Sequence, residues 1–261
     1  MSPTTVPRSS PLVGTANLAR REAATWWTTG RWRLQAVVWT AILAGLLAAM
    51  LWLFPSLMAG IDEAGSGDVG EMALQFPDLA AVLVAVGVVL LGQGLIIDER
   101  RNGVLEWLLS KPLARPAVIA AKFLGHAAGL ITTVVAIPWV AVHIVLSIAA
   151  GTSWNVGHSL AAAGLLALVV VFHLALVLAL GTLTSSRVVV LAVPLAAIVG
   201  ADAVVGMVSE AFYVLPWSLG AVASLILAEG ILLSAWPILA TIGWTVLLLV
   251  IAAMRLQRAE L

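Results

Sequence analysis

The sequence contains no cysteine. That excludes disulfides, thiol nucleophiles, iron–sulfur clusters and cysteine-ligated zinc in one step. Charge is scarce as well: 10% of the 261 residues are Asp, Glu, Lys or Arg, against about 25% in soluble domains. Acids and bases balance to a formal net charge of zero, so nothing global marks a nucleic-acid partner. Catalytic motifs are missing too. No G-x-x-x-x-G-K-[ST] occurs, so the chain does not cradle ATP phosphates itself; the nearest glycine cluster, Gly65-Ser66-Gly67, lacks the Lys. H-E-x-x-H, a nucleophile elbow and a facing carboxylate pair are absent, which argues against a membrane-embedded enzyme. The four histidines, His126, His143, His158 and His173, are scattered without nearby carboxylate pairs, so no metal is expected.

What fills the chain is apolar. Hydrophobic residues make up 62% and the mean hydropathy is +1.10, which points to lipid as the solvent. A bilayer core about 30 Å thick needs roughly 20 apolar residues in a helix. Six runs meet this: residues 34–57, 79–97, 117–150, 158–183, 188–209 and 236–254. The third is overlong and contains Pro138, which is expected to bend it. Residues 1–33 read as a retained N-terminal segment rather than a cleaved signal peptide. Within it, Arg20, Arg21, Glu22, Trp26, Trp27 and Trp32 suit an interfacial amphipathic helix leading into span one. Residues 34–261 read as one six-span transmembrane domain.

Basic residues fix the orientation. With six spans and both termini on the cytoplasmic side, all thirteen Lys and Arg fall inside. The outer segments carry Asp62, Glu63, Asp68, Glu71, Asp78, Glu210 and Glu229 and no base. A seventh full span over residues 216–234 would put Arg255 and Arg258 outside. Residues 213–234 are therefore expected to form a re-entrant or interfacial element before span six. The outer loop 59–77, with Gly65, Gly67 and Gly70, reads as flexible and acidic. The expected fold is all-α and polytopic.

One cytoplasmic segment, residues 98–116 between spans two and three, is unlike the rest. A charged cluster from Asp98 to Arg101 ends span two, and Asn102-Gly103 is a turn signal. A short helical run follows, with Leu105, Leu108 and Leu109 on one face. Pro112 stops it. A short amphipathic helix of this kind either packs back on its own bundle or presents an apolar ridge to a partner.

The segment resembles the coupling-helix region of ABC-2 type permeases, membrane subunits of ABC transporters. The residues that carry the likeness are Glu99-Arg100, Gly103, Leu105-Glu106, Leu108-Leu109-Ser110, Pro112, Arg115 and, in the next span, Lys122. Val104 stands where the family usually has Thr. Trp236-Pro237, Trp244 and the ending Arg255, Arg258, Glu260-Leu261 are also similar. The resemblance implies that the helix at 104–110 docks in a cleft of a separate ATPase subunit, which binds ATP and Mg, while this chain binds no cofactor. Leu105, Leu108 and Leu109 would form the docking ridge, Glu106 and Arg100 polar contacts, and Gly103 and Pro112 its ends. It implies a second permease copy, identical or related, in a bacterial plasma membrane, and an exporter whose cargo the sequence does not name.

Five further residues are candidates for a lined pathway: Gln93, His143, His173, Asp202 and Glu229. Ionisable groups at membrane depth are functional candidates by default, although a His bonded to a backbone carbonyl is the commoner arrangement. A secondary transporter is the competing reading; Pro138 and Asp202 suit interrupted helices, but no internal repeat is visible. Gly87 with Gly92 and Gly125 with Gly129 are small-residue spacings that permit close helix packing.

Overall fold

A computed structural model describes residues 15–58, 68–104 and 114–258, with the side chains at 202 and 206 left aside. Every regular element among the described residues is a helix and none is a strand, as an all-α membrane protein requires. Helix α1 is Thr15–Thr28. Gly30, at a left-handed φ of 69°, turns the chain into α2, Arg31–Ala48. Arg31, Trp32 and Arg33 thus belong to the first turn of span one, not to the interfacial helix. The others are α3 (Val69–Gly92), α4 (Ile97–Arg101), α5 (Arg115–Leu130), α6 (Ile137–Ala150), α7 (Val156–Leu183), α8 (Arg187–Met207), α9 (Leu219–Glu229) and α10 (Trp236–Arg258).

Spans one and three are each interrupted by a π-helical turn. One covers Ala49–Leu53 and leads to Pro55; the other covers Ile131–Ala136 and leads to Pro138. In both the widened turn ends two residues before the proline. Proline lacks an N–H and its ring meets the carbonyl four residues back, so an i→i+5 register relieves a bond that an α-helix would lose. The irregularity expected at Pro138 is therefore a π turn that joins α5 and α6 into one 36-residue span.

Span two begins at Val69 rather than at residue 79. The second half of the supposed outer loop is its first turns, and Pro77 lies buried inside the helix. Asp68 caps it: its Oδ1 accepts from Gly70 N at 3.1 Å, and Glu71 lies in the first turn. An acid at N-cap with Glu three residues on is the sequence signal of such a start.

Helix α7 is the central post. It packs against α3, α9 and α10, and more lightly against α5, α6 and α8. Leu166, Val170, Leu174 and Leu178, all fully buried, run along it. The lipid-facing surfaces are apolar: Leu34, Val37 and Val38 on α2, Val140, Ile144 and Ile148 on α6, and Leu239, Val246 and Val250 on α10 are exposed. Tryptophan N–H groups tie elements together. Trp139 donates to Ser159 O at 2.9 Å, Trp154 to Leu227 O at 3.1 Å, and Trp244 to Val214 O at 2.9 Å.

Helix α9 has 11 residues, about 16 Å at 1.5 Å per residue, and is too short to span a bilayer. Gly220, near its start, lies against Asp78 of α3, more than two turns in from that helix's N-terminal end. Its far end, at Gly230, meets His158 in the first turn of α7. The chain therefore dips into the bundle after α8 and climbs back along α9, a re-entrant element whose backbone is covered by protein.

Candidate functional site

The charged groups gather where the sequence is most basic, at the bundle end that carries α1, α4 and the starts of α5 and α8. Lys122 is the hub. An ammonium in an apolar run needs a partner, and Lys122 is 1% exposed. Its Nζ donates to Glu99 Oε1 at 2.5 Å and to Glu22 Oε1 at 3.1 Å. Glu99 ends span two and Glu22 is on α1, so one base joins three elements. His126, one turn along α5, donates from Nδ1 to Lys122 O at 3.0 Å, and the same nitrogen lies 3.9 Å from Glu22 Oε2. Trp26 of α1 meets the His126 ring edge-on, centroids 6.0 Å apart.

Helix α1 reaches this hub because α5 offers it a strip without side chains. Glu22 lies beside Gly125, where a Cβ would fall 2.6 Å from Glu22 Cβ and 3.1 Å from Ala23 N. Trp26 lies beside Gly129, where a Cβ would fall 2.6 Å from Trp26 Cγ. The two glycines, one helical turn apart, set the closeness of the packing.

Two arginines complete the arrangement, one at each root of segment 105–113. Arg100, just before it, donates to Gly181 O at 3.3 Å and Thr184 O at 3.4 Å. Arg115, just after it, donates to Gln257 O at 2.9 Å and Leu256 O at 3.3 Å. These carbonyls lie at the C-terminal ends of α7 and α10, where helices leave acceptors unpaired and carry partial negative charge. Gly103 adopts a φ of 69°, the left-handed turn that the Asn102-Gly103 pair signals. Residues 105–113 themselves, and with them Leu105, Glu106, Leu108, Leu109, Ser110 and Pro112, lie outside the described residues.

A cavity of about 400 Å³ opens beside the hub, lined by Glu22, Gln93, Asp98, Glu99, Lys122, His126 and Arg187 among others. Asp98 and Arg187 form a salt bridge across its mouth, with side chains 46% and 43% exposed. Exposed pairs contribute little, so Asp98→Asn should lower stability by no more than about 1 kcal/mol. A thermal-melting comparison in detergent would check this, and a larger loss would mean the pair braces α4 against α8.

The pathway candidates are spread out. Gln93 lines the cavity just described. His173 lines a small chamber in mid-bundle, and its Nδ1 donates to Val169 O at 2.9 Å, the arrangement of a carbonyl-bonded histidine. His143 lines an open recess of about 540 Å³ with Ser147 and Gly151. Glu229 is exposed at the end of α9. Asp202 is in α8, and its side chain lies outside the described set. Among the described residues no group of His, Asp and Glu has the geometry to hold a metal ion. Glu22 was not among the sequence candidates; the buried ammonium of Lys122 was the signal that a second carboxylate should face it.

A family model described as "ABC-2 family transporter protein" matches residues 31–261. The chain belongs to this family. Curated proteins yield no match. As an ABC-2 permease the protein is a membrane subunit, not an ATPase, and works in an ABC transporter alongside an ATPase partner. The match starts at the first residue of α2. Helix α1 and Glu22 therefore lie outside it, whereas Glu99, Lys122 and both arginine anchors lie within.

Proposed function

We propose that this permease is the pathway-forming half of an exporter, and that it is driven through the segment at 104–110 by a separate ATPase that binds ATP and Mg. Two permease copies, identical or related, complete the transporter. It sits in a bacterial plasma membrane with both termini cytoplasmic, which puts every Lys and Arg inside. Helix α1 forms a surface segment ahead of the permease domain proper, which opens with α2 at Arg31.

The observation that carries this reading is how the segment is rooted. Arg100 ties its entry to the end of α7, and Arg115 ties its exit to the end of α10. Glu99 and Lys122 join α4 to α5, and Glu22 adds α1. A pull on the segment is thus shared among spans two, three, four and six. A change of state also requires contacts that differ between the states. Arginine-to-carbonyl bonds of 3.3–3.4 Å at a helix end supply bonds that remake cheaply.

The test is co-expression with a candidate P-loop ATPase and reconstitution in lipid nanodiscs. Leu105→Asp/Leu109→Asp is expected to abolish co-purification of the ATPase, or its stimulation by the permease, while leaving the permease monodisperse. Wild-type binding and hydrolysis by the double variant would sink the coupling assignment.

A further inference from the structure

Midway along α7, away from the charged hub, a small, partly enclosed chamber of about 30 Å³ lies among α3, α7, α8 and the start of the re-entrant element. Ala81, Ala85, Val169, Ile198 and Pro216 form apolar walls, and Asp78, which is engaged elsewhere in the protein, is the carboxylate on its lining. His173 and Trp217 also line it. Each has a buried ring nitrogen with no partner in the protein, Nε2 of His173 and Nε1 of Trp217. Their chemistry is complementary. Nδ1 of His173, 1% exposed, is committed as donor to Val169 O, which leaves Nε2 as an acceptor. The indole Nε1–H of Trp217 is a donor only. Phe172 holds both rings in place, meeting His173 edge-on at 4.9 Å and Trp217 at 5.7 Å.

Stranding a buried donor and a buried acceptor costs about 1–3 kcal/mol for each. One group satisfies both: an O–H that accepts from Trp217 and donates to His173. An ammonium leaves the indole unpaired, since it accepts nothing, and a carboxylate leaves the imidazole unpaired, since it donates nothing. The size allows it, since a cavity needs only about 10–15 Å³ to hold one water. A second cavity, of about 310 Å³, shares Asp78, Ala201 and Trp217 with the chamber and is otherwise lined by Val205, Phe212, Ser218 and Ala221. It offers room for an apolar stem. We propose that His173 and Trp217 form an intramembrane binding site for a single O–H group, supplied by water or by the hydroxyl of an amphiphile whose stem lies in the adjoining cavity.

The test uses the full chain, labelled with nitrogen-15 in His and Trp, in nanodiscs of diacyl phosphatidylcholine, a lipid without hydroxyls. Solid-state NMR should carry magnetisation from water to the Trp217 indole and the His173 ring, signals identified by their loss in Trp217→Phe and His173→Phe. Dodecanol is then added. Replacement of the water transfer by contacts to the dodecanol chain assigns the site to an amphiphile hydroxyl; unchanged water transfer assigns it to water. Absence of both transfers would overturn the proposal. A second measurement needs no labels. Each single variant strands one nitrogen, so the Tm of Trp217→Phe/His173→Phe should be no lower than that of the worse single variant. Additive losses would mean that the two nitrogens share nothing.

Discussion

Replacing Lys122 with Met is expected to destabilise the permease by about 3–5 kcal/mol, the usual cost of removing one partner from a buried ion pair. The substitution keeps most of the stem and removes the charge. Two carboxylates are then left facing each other, Glu99 at 25% and Glu22 at 15% side-chain exposure, with no ammonium between them. Thermal melting in a defined detergent reads the loss directly. The position of α1 supplies a second readout, since Glu22 would now be repelled from α4; proteolysis and amide exchange across residues 15–28 should both accelerate. The companion variant Lys122→Met/Glu22→Gln/Glu99→Gln removes the repulsion along with the attraction and should recover much of the loss. If the triple variant melts as low as Lys122→Met, the ammonium acts through packing and not through charge.

Gly125→Leu is expected to release α1 while keeping the Lys122–Glu99 pair. No rotamer of the new side chain avoids the collision, because the clash begins at Cβ, which would sit 3.1 Å from Ala23 N and 3.2 Å from Ala19 O. Backbone atoms on a facing helix do not swing aside as a side chain does. Helix α1 has 14 residues, none fully buried, and a free helix of that length is marginal in water. Amide exchange over Thr15–Thr28 should therefore rise strongly, while α7 and α3 stay protected. Overpacking typically costs about 1–3 kcal/mol, so the global Tm should fall less than in Lys122→Met. Unchanged exchange at α1 would mean that the glycine strip does not set its position. The pair of variants separates two linkages at one place, the ionic one by charge and the steric one by shape.

How much of this was legible beforehand differs from element to element. The spans and the one-sided basic residues follow from hydropathy and charge alone, because lipid imposes both patterns locally. The short re-entrant helix followed from the same rule, since a full span there would strand Arg255 and Arg258 on the wrong side. Span two starts ten residues before the point that hydropathy marks: Pro77 and the acids around it imitate a loop, and the cap at Asp68 with Glu71 is the signal of the true start. The Gly125 and Gly129 spacing was visible as a small-residue stripe, but its occupant was not, because α1 lies about a hundred residues away in the chain. Long-range pairing leaves no periodic trace. The same holds for the anchoring bonds of Arg100 and Arg115 to α7 and α10, whose acceptors are backbone carbonyls and so have no residue identity to read.

Those two arginines have a mechanical consequence. A side chain gripping the flank of a helix applies torque; one gripping its terminal carbonyls applies tension along the axis. Arg100 and Arg115 hold α7 and α10 by their ends, and these helices pack on each other along the bundle. Held at their ends by residues on either side of one segment, α7 and α10 would share any axial load applied there. The π turn of span three lies beyond Arg115 on that same span, so it is the widened point through which such a load would pass.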